Sequence, residues 1–164
     1  MLLSSPDLKA TAYKTLVRPL LEYGSTVWDP YTKYNINKLE MVQRRSARYV
    51  LNRYRSTSSV GEMLEQLEWE TLEVRRKFAR LSMFYKMVNS LVAVNMDKYV
   101  TPSNTRGTRR TAENHYTAAR SRVDYHKYSF FPRTVNKWNS LSPDVISAPS
   151  LDAFKAQLRG AGGV

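Results

Sequence analysis

Apolar residues recur at three- and four-residue steps over much of the chain, the spacing of amphipathic helices. The first run is Leu8, Ala12, Leu16, Leu20 and Tyr23. Ser5, Pro6 and Asp7 predict its start: a hydroxyl N-cap, a proline at the first helical position and an acid that complements the dipole. Pro19 lies inside the run and predicts a kink, or an end near Arg18, because proline removes a backbone donor. Gly24 and Asp29-Pro30 mark the exit. A second helix is predicted from Asn35, with Asn35 as its cap and Tyr34 stapled onto Leu39. Its core face is Ile36, Leu39, Val42, Ala47, Val50 and Leu51. Ser59 and Glu62 have the spacing of a capping box and open a short helix to Leu67. A long helix follows from about Leu72 to Leu91, with Phe78, Leu81, Tyr85, Val88 and Leu91 as its buried stripe.

The pattern lapses from Thr101 to Arg122, which is polar, Arg-rich and poor in large apolar residues, so a loop is expected there. The segment from Arg122 to Phe131 has the makings of a short extended stretch. Pro132 opens a short helix carrying Val135, Trp138 and Leu141. Ser150 caps a last helix with Leu151, Phe154 and Leu158 inward and Gly160 at its end. The fold class is therefore mainly α, four to six helices with an Arg-rich loop before a short C-terminal helical segment. The expected divisions are a helical bundle over 1–100, a basic loop over 101–122, an aromatic and helical segment over 123–159, and a disordered tail over 160–164.

Charge changes this picture most. The 164 residues hold 26 Lys and Arg against 14 Asp and Glu, a formal net charge of +12. Such an excess speaks of partners, above all nucleic acid or an anionic membrane. Arginines outnumber lysines 16 to 10, and a guanidinium matches phosphate geometry and stacks on bases, which favours nucleic acid. The positive residues cluster. Arg44, Arg45 and Arg48 lie on or beside the polar face of the second helix, with Arg53 and Arg55 beyond it. Arg75, Arg76, Lys77, Arg80 and Lys86 are expected to form the outer face of the long helix. Arg106, Arg109, Arg110, Arg120 and Arg122 populate the loop. Between them lies an acidic run: Glu62, Glu65, Glu68, Glu70 and Glu73.

Candidate chemistry is sparse. No cysteine is present, so disulfides and thiolate chemistry are excluded. His115 and His126 have no metal-ligand spacing, the six glycines form no phosphate loop, and no serine sits in a Gly-x-Ser-x-Gly elbow. The acidic run is the one candidate for a metal pair, and it is expected instead to neutralise nearby arginines and favour helix N-termini. Trp28, Trp69 and Trp138 are expected in the core. Tyr125 and Tyr128, beside Lys127 and His126, fit either packing or stacking on bases. The N-terminus lacks the basic and apolar regions of a signal peptide, and no stretch is apolar enough to span a membrane. An intracellular protein, nuclear or cytoplasmic and not secreted, is the expectation.

Three stretches carry a resemblance: LVRPLLEYGSTVWDPYTKYNINKLEMVQRRSARYV, SSVGEMLEQLEWETLEVRRKFARLSMFYKMVN and SFFPRTVNKWNSLSPDVISAPSLDAFKAQL. In that order and spacing they resemble the segment after the polymerase core in reverse transcriptases of non-LTR (LINE-type) retrotransposons, of the jockey and chicken-repeat kind. The clearest pieces are Arg18-Pro19-x-Leu21-Glu22-Tyr23 with Val27-Trp28, then Leu39-Glu40-x-Val42-Gln43-Arg44-Arg45, and Phe131-Pro132-Arg133 with Trp138-Asn139-Ser140-Leu141. The chain departs from the family at the cap before the long helix, where Thr71 and Val74 stand for a serine and an acid. The family's catalytic aspartates lie in a Tyr/Phe-x-Asp-Asp motif, and no Asp-Asp pair occurs here. Met1 falls just before the tail's first helix, which implies a truncated element copy or a gene-model fragment. The resemblance thus implies a thumb and tail fragment that is no enzyme as it stands and needs no cofactor. Its implied partner is RNA or an RNA–DNA duplex, held through phosphates without sequence preference, and beyond that the palm of a parent polymerase. No membrane or small-molecule partner is implied. The residues expected to hold nucleic acid are Arg44, Arg45, Arg48, Arg75, Arg76, Arg80, Arg106, Arg109, Arg110, Arg120, Arg122, Tyr125 and Lys127. The alternative is an interaction or structural module that binds no nucleic acid.

Overall fold

A computed structural model describes residues 5–55, 57–103, 114–120 and 122–160. The fold is mainly α, as the periodicity predicts. It divides into two compact units, residues 1–76 and 77–164. The division falls inside the long helix. The first turns of that helix are tied to the N-terminal unit, and its later apolar residues join the C-terminal core.

In the first unit, α1 (Pro6–Ala12) starts as expected, with Ser5 Oγ accepting from Leu8 N at 3.3 Å. A π turn over Tyr13–Val17 joins it to α2 (Arg18–Glu22). That wide turn lets the chain continue through Pro19 instead of stopping. Gly24, at φ 61, reverses the chain into α3 (Ser25–Trp28), a conformation that glycine adopts without strain. α4 (Lys33–Leu51) follows, then α5 (Val60–Gln66). Thr32, not Asn35, caps α4, and Tyr34 is exposed instead of stapled. Ser59 Oγ caps α5 by accepting from Glu62 N.

The face that α1 buries is not the apolar one. Lys9 and Tyr13 point inward, while Leu8, Leu16, Leu20 and Tyr23 stay exposed, Leu20 at 76% and Tyr23 at 84%. Specific partners explain the choice. Tyr13 stacks on Trp69 at 4.4 Å and donates to Gln43 Oε1 at 3.0 Å. Lys9 Nζ donates to Tyr49 O and Asn52 Oδ1 at the C-terminus of α4, where a cation complements the dipole. Trp28 is likewise out of the core, its Nε1 donating to Tyr23 O. The apolar core of this unit is Tyr13, Ala47, Val50, Met63 and Trp69.

Polar residues of α4 fasten the start of α6 (Leu72–Val88). Glu40, buried, accepts from Glu73 N at 2.7 Å and Leu72 N at 3.3 Å. Thr71 Oγ1 accepts from Val74 N. These bonds satisfy amides that a helix start leaves without a partner. Gln43 Nε2 donates to Glu70 O at 2.9 Å, which fixes the turn before the helix.

In the second unit, α6 ends three residues earlier than predicted. Ser90 enters the left-handed region at φ 54, and Leu91 is exposed. The segment expected to be wholly loop carries a short ribbon: β1 (Val100–Pro102) pairs antiparallel with β2 (Tyr116–Ala118). Each strand is three residues long, too short for alternation to register. Arg106, Arg109 and Arg110 lie outside the described residues. Residues 124–138, expected to be partly extended, are helical: α7 (Asp124–Lys127) and α8 (Phe130–Trp138). α9 (Pro143–Ile146) and α10 (Leu151–Gly160) complete the unit, with Ser150 Oγ accepting from Ala153 N as expected. Residues 161–164, most of the expected tail, lie outside the described set.

Trp138 centres the second core. It meets Phe84 edge-on at 5.0 Å and lies beside Phe154, which stacks on Tyr85. Trp138 Nε1 also donates to Asn114 O. Asn139 clamps the ribbon from both sides of its amide, accepting from Tyr116 N at 3.1 Å and donating to Tyr116 O at 2.8 Å.

Replacing Glu40 with Ala removes two buried bonds at a helix start. It is expected to lower the stability of the first unit by about 1–3 kcal/mol. Urea unfolding followed by Trp69 fluorescence measures the loss, and faster amide exchange at Leu72 and Glu73 locates it.

Candidate nucleic-acid interface

The sequence-predicted basic residues fall into four environments. Arg44 and Arg45 are exposed and Arg48 is half-buried, all on the outward face of α4. Arg75 is half-buried and paired through Nε and Nη2 with Glu22, with Glu70 3.7 Å from Nη1. The Glu22 hydrogen bond holds the Arg75 proton more firmly than usual, against the effect of its partial burial. Arg76 and Arg80 are buried, with 1% and 6% of their surfaces exposed, so two of the five residues expected on the basic outer face of α6 turn inward. Arg76 Nε donates to Asp29 Oδ1 at 2.8 Å, a structural ion pair. The helical period places 76 and 80 on one face, but the count of apolar residues cannot say which face turns inward. Arg120, Arg122, Tyr125 and Lys127 are exposed in the second unit, and Lys127 Nζ sits 5.2 Å from the centre of the Tyr128 ring.

α4 is the one described element on which several of these residues share a surface. At about 100° per residue, Lys33, Lys38, Arg44, Arg45 and Arg48 lie within an arc of about 160°. Asn37, Met41, Tyr34 and Tyr49 occupy the same arc and are exposed. Ile36, Glu40, Gln43, Ala47 and Val50 form the opposite, buried side. Glu40 is the only carboxylate in the helix, and it faces the start of α6. The outward arc therefore carries five positive side chains and no acid. Among the described residues, no carboxylate pairs with Arg44, Arg45 or Arg48. Arg53 and Arg55 extend the positive surface beyond the αL cap at Asn52.

Lys33, Lys38 and the two tyrosines join this surface beyond the residues predicted from the sequence. Their signal was the same helical period that exposes Arg45: residues 34, 38, 41, 45 and 48 step along one face. Lys38 Nζ lies 4.3 Å from the centre of the Tyr34 ring, and Lys9 Nζ 4.7 Å from that of Tyr49.

The acidic run does not converge. Glu62, Glu65, Glu68, Glu70 and Glu73 are all exposed. Among the described residues, no group of three or more His, Asp or Glu side chains is placed to hold a metal ion. No helix among them is long and apolar enough to cross a membrane. The chain matches no protein-family model, no curated protein and no solved structure.

Beneath the arc, burial pushes the Tyr13 hydroxyl up to about 12 from its ordinary 10.0, with Arg18 opposing the shift. The folded state thus keeps this proton more tightly than the unfolded chain. The stability it confers is complete below pH 10 and fades as pH rises toward 12. A Tyr13→Phe variant is expected to lose less stability across that window than the parent, measured by urea unfolding at stepped alkaline pH.

Proposed function

We propose that the chain holds nucleic acid through phosphate contacts made by the outward face of α4, without sequence preference and without catalysis of its own. The supporting observation is the inward turn of Glu40, which leaves Lys33, Lys38, Arg44, Arg45 and Arg48 on an arc free of carboxylates. A phosphate chain meets there a row of forks and ammonium groups with nothing to repel it. The resemblance to the post-palm segment of a non-LTR reverse transcriptase agrees with this reading, with RNA or an RNA–DNA duplex as the ligand. On that view the surface grips template and primer for an active site that lies in the palm. Arg120, Arg122, Tyr125 and Lys127, with Arg106, Arg109 and Arg110, are a second set of candidates under the same reading. Arg75, Arg76 and Arg80 lie outside the proposed surface, because their guanidinium groups serve ion pairs or are buried.

A second reading, an interaction module without nucleic acid, draws on the apolar residues Leu8, Leu16, Leu20, Tyr23 and Val27. These residues are all exposed, and exposed apolar patches commonly mark contact sites. Sedimentation that depends on concentration, with no RNA shift in a gel, supports this second reading.

For the first reading, binding of homopolymer RNA is expected to weaken steeply as salt rises. Replacing Arg44, Arg45 and Arg48 together with Ala should reduce the slope of log affinity against log salt by about two to three. Arg76→Ala should lower stability and leave the slope as it was. A parental slope near zero rules the reading out.

A further inference from the structure

The α4 surface has a shape as well as a charge. At 100° per residue, Lys33 and Arg44 lie toward one edge of the exposed arc, Lys38 and Arg45 toward the other, and Arg48 near its midline. Asn37, Met41 and Tyr34 also lie between the edges, and all three are exposed. The surface is thus a convex ridge with a positive row on each flank. A single strand would run along one row and leave the other unused.

Single-strand binding also relies on open aromatic faces on which bases stack. The two tyrosines of α4 are poor platforms. The ammonium of Lys38 lies over one face of the Tyr34 ring, and that of Lys9 over one face of the Tyr49 ring. These contacts present the rings as carriers of positive charge.

An α-helix with its side chains is about 10–12 Å across, and the major groove of B-form DNA is about 12 Å wide. A helix lying in that groove has a phosphate strand on each flank, the arrangement that two positive rows match. The A-form major groove is too deep and narrow to admit a helix. Resting on the reading of α4 as a phosphate-binding face, we infer that its preferred ligand is B-form duplex DNA, entered from the major groove, in place of the RNA or RNA–DNA duplex that the resemblance implies. Lys33 and Arg44 meet one strand, Lys38 and Arg45 the other. Asn37, Met41, Tyr34 and Arg48 face the groove floor.

The test measures fluorescence anisotropy of the full chain at one salt concentration. Its ligands are a duplex DNA two helical turns long, the duplex RNA of the same sequence and each single strand. Duplex DNA is expected to bind about tenfold more tightly than either alternative. Glucosylated hydroxymethylcytosine, which fills the major groove, should abolish most of that advantage, whereas a saturating minor-groove ligand should leave it intact. Lys33→Ala and Lys38→Ala, on opposite flanks, should each reduce the salt slope by about one. Equal or tighter binding of duplex RNA or single strands overturns this inference and leaves the phosphate-binding reading standing. Displacement by the minor-groove ligand does the same. Absence of salt-dependent binding to every nucleic acid overturns both.

Discussion

The arrangement of the first unit depends on where one carboxylate goes. Glu40 sits in the middle of a helix whose other charged residues are all basic, and it turns inward to accept from the first two amides of α6. A buried carboxylate without partners would be costly, so the fold must supply donors, and a helix start has them in surplus. Gln43, one turn along, binds the Glu70 carbonyl and receives the Tyr13 hydroxyl. Together these side chains tie α1, α4 and the turn before α6 through polar contacts, with the small core of Tyr13, Ala47, Val50, Met63 and Trp69 beside them. The same choice empties the outward face of α4 of negative charge. Stability and surface potential are thus set by a single orientation.

Other acids near the arginines are similarly engaged. Glu22 takes Arg75, and Asp29 takes Arg76. These pairings take Arg75 and Arg76 out of the basic surface and leave α4 as its main described member. A positive residue gains meaning as a phosphate contact only when no carboxylate has claimed it first. Net charge cannot reveal this, because the ion pairs depend on which helix faces meet.

Much of the helical layout was legible in the sequence, because caps and periodicity are local. Ser5, Ser59 and Ser150 cap as their spacing predicts, and Trp69 and Trp138 lie in the two cores. What failed to read through was the direction of faces. Leu8, Leu16 and Leu20 make a cleaner apolar stripe than Lys9 and Tyr13, yet the latter are buried because α4 offers them a helix C-terminus and a glutamine oxygen. The buried state of Arg76 was hidden for the same reason, its partner lying 47 positions away. The three-residue strands were hidden by their brevity, and Asn139, which anchors one of them, gives no local sign of that role. On α4 the candidate arginines were visible, but the fate of Glu40 was not.

The most direct test of the account follows the arginine Nε–H resonances by NMR while a short nucleic acid is added to the full chain. The account predicts large shifts for Arg44, Arg45 and Arg48 and none for Arg76, whose Nε–H is held by Asp29 in the interior. Shifts confined to other arginines, with these three unmoved, would contradict it.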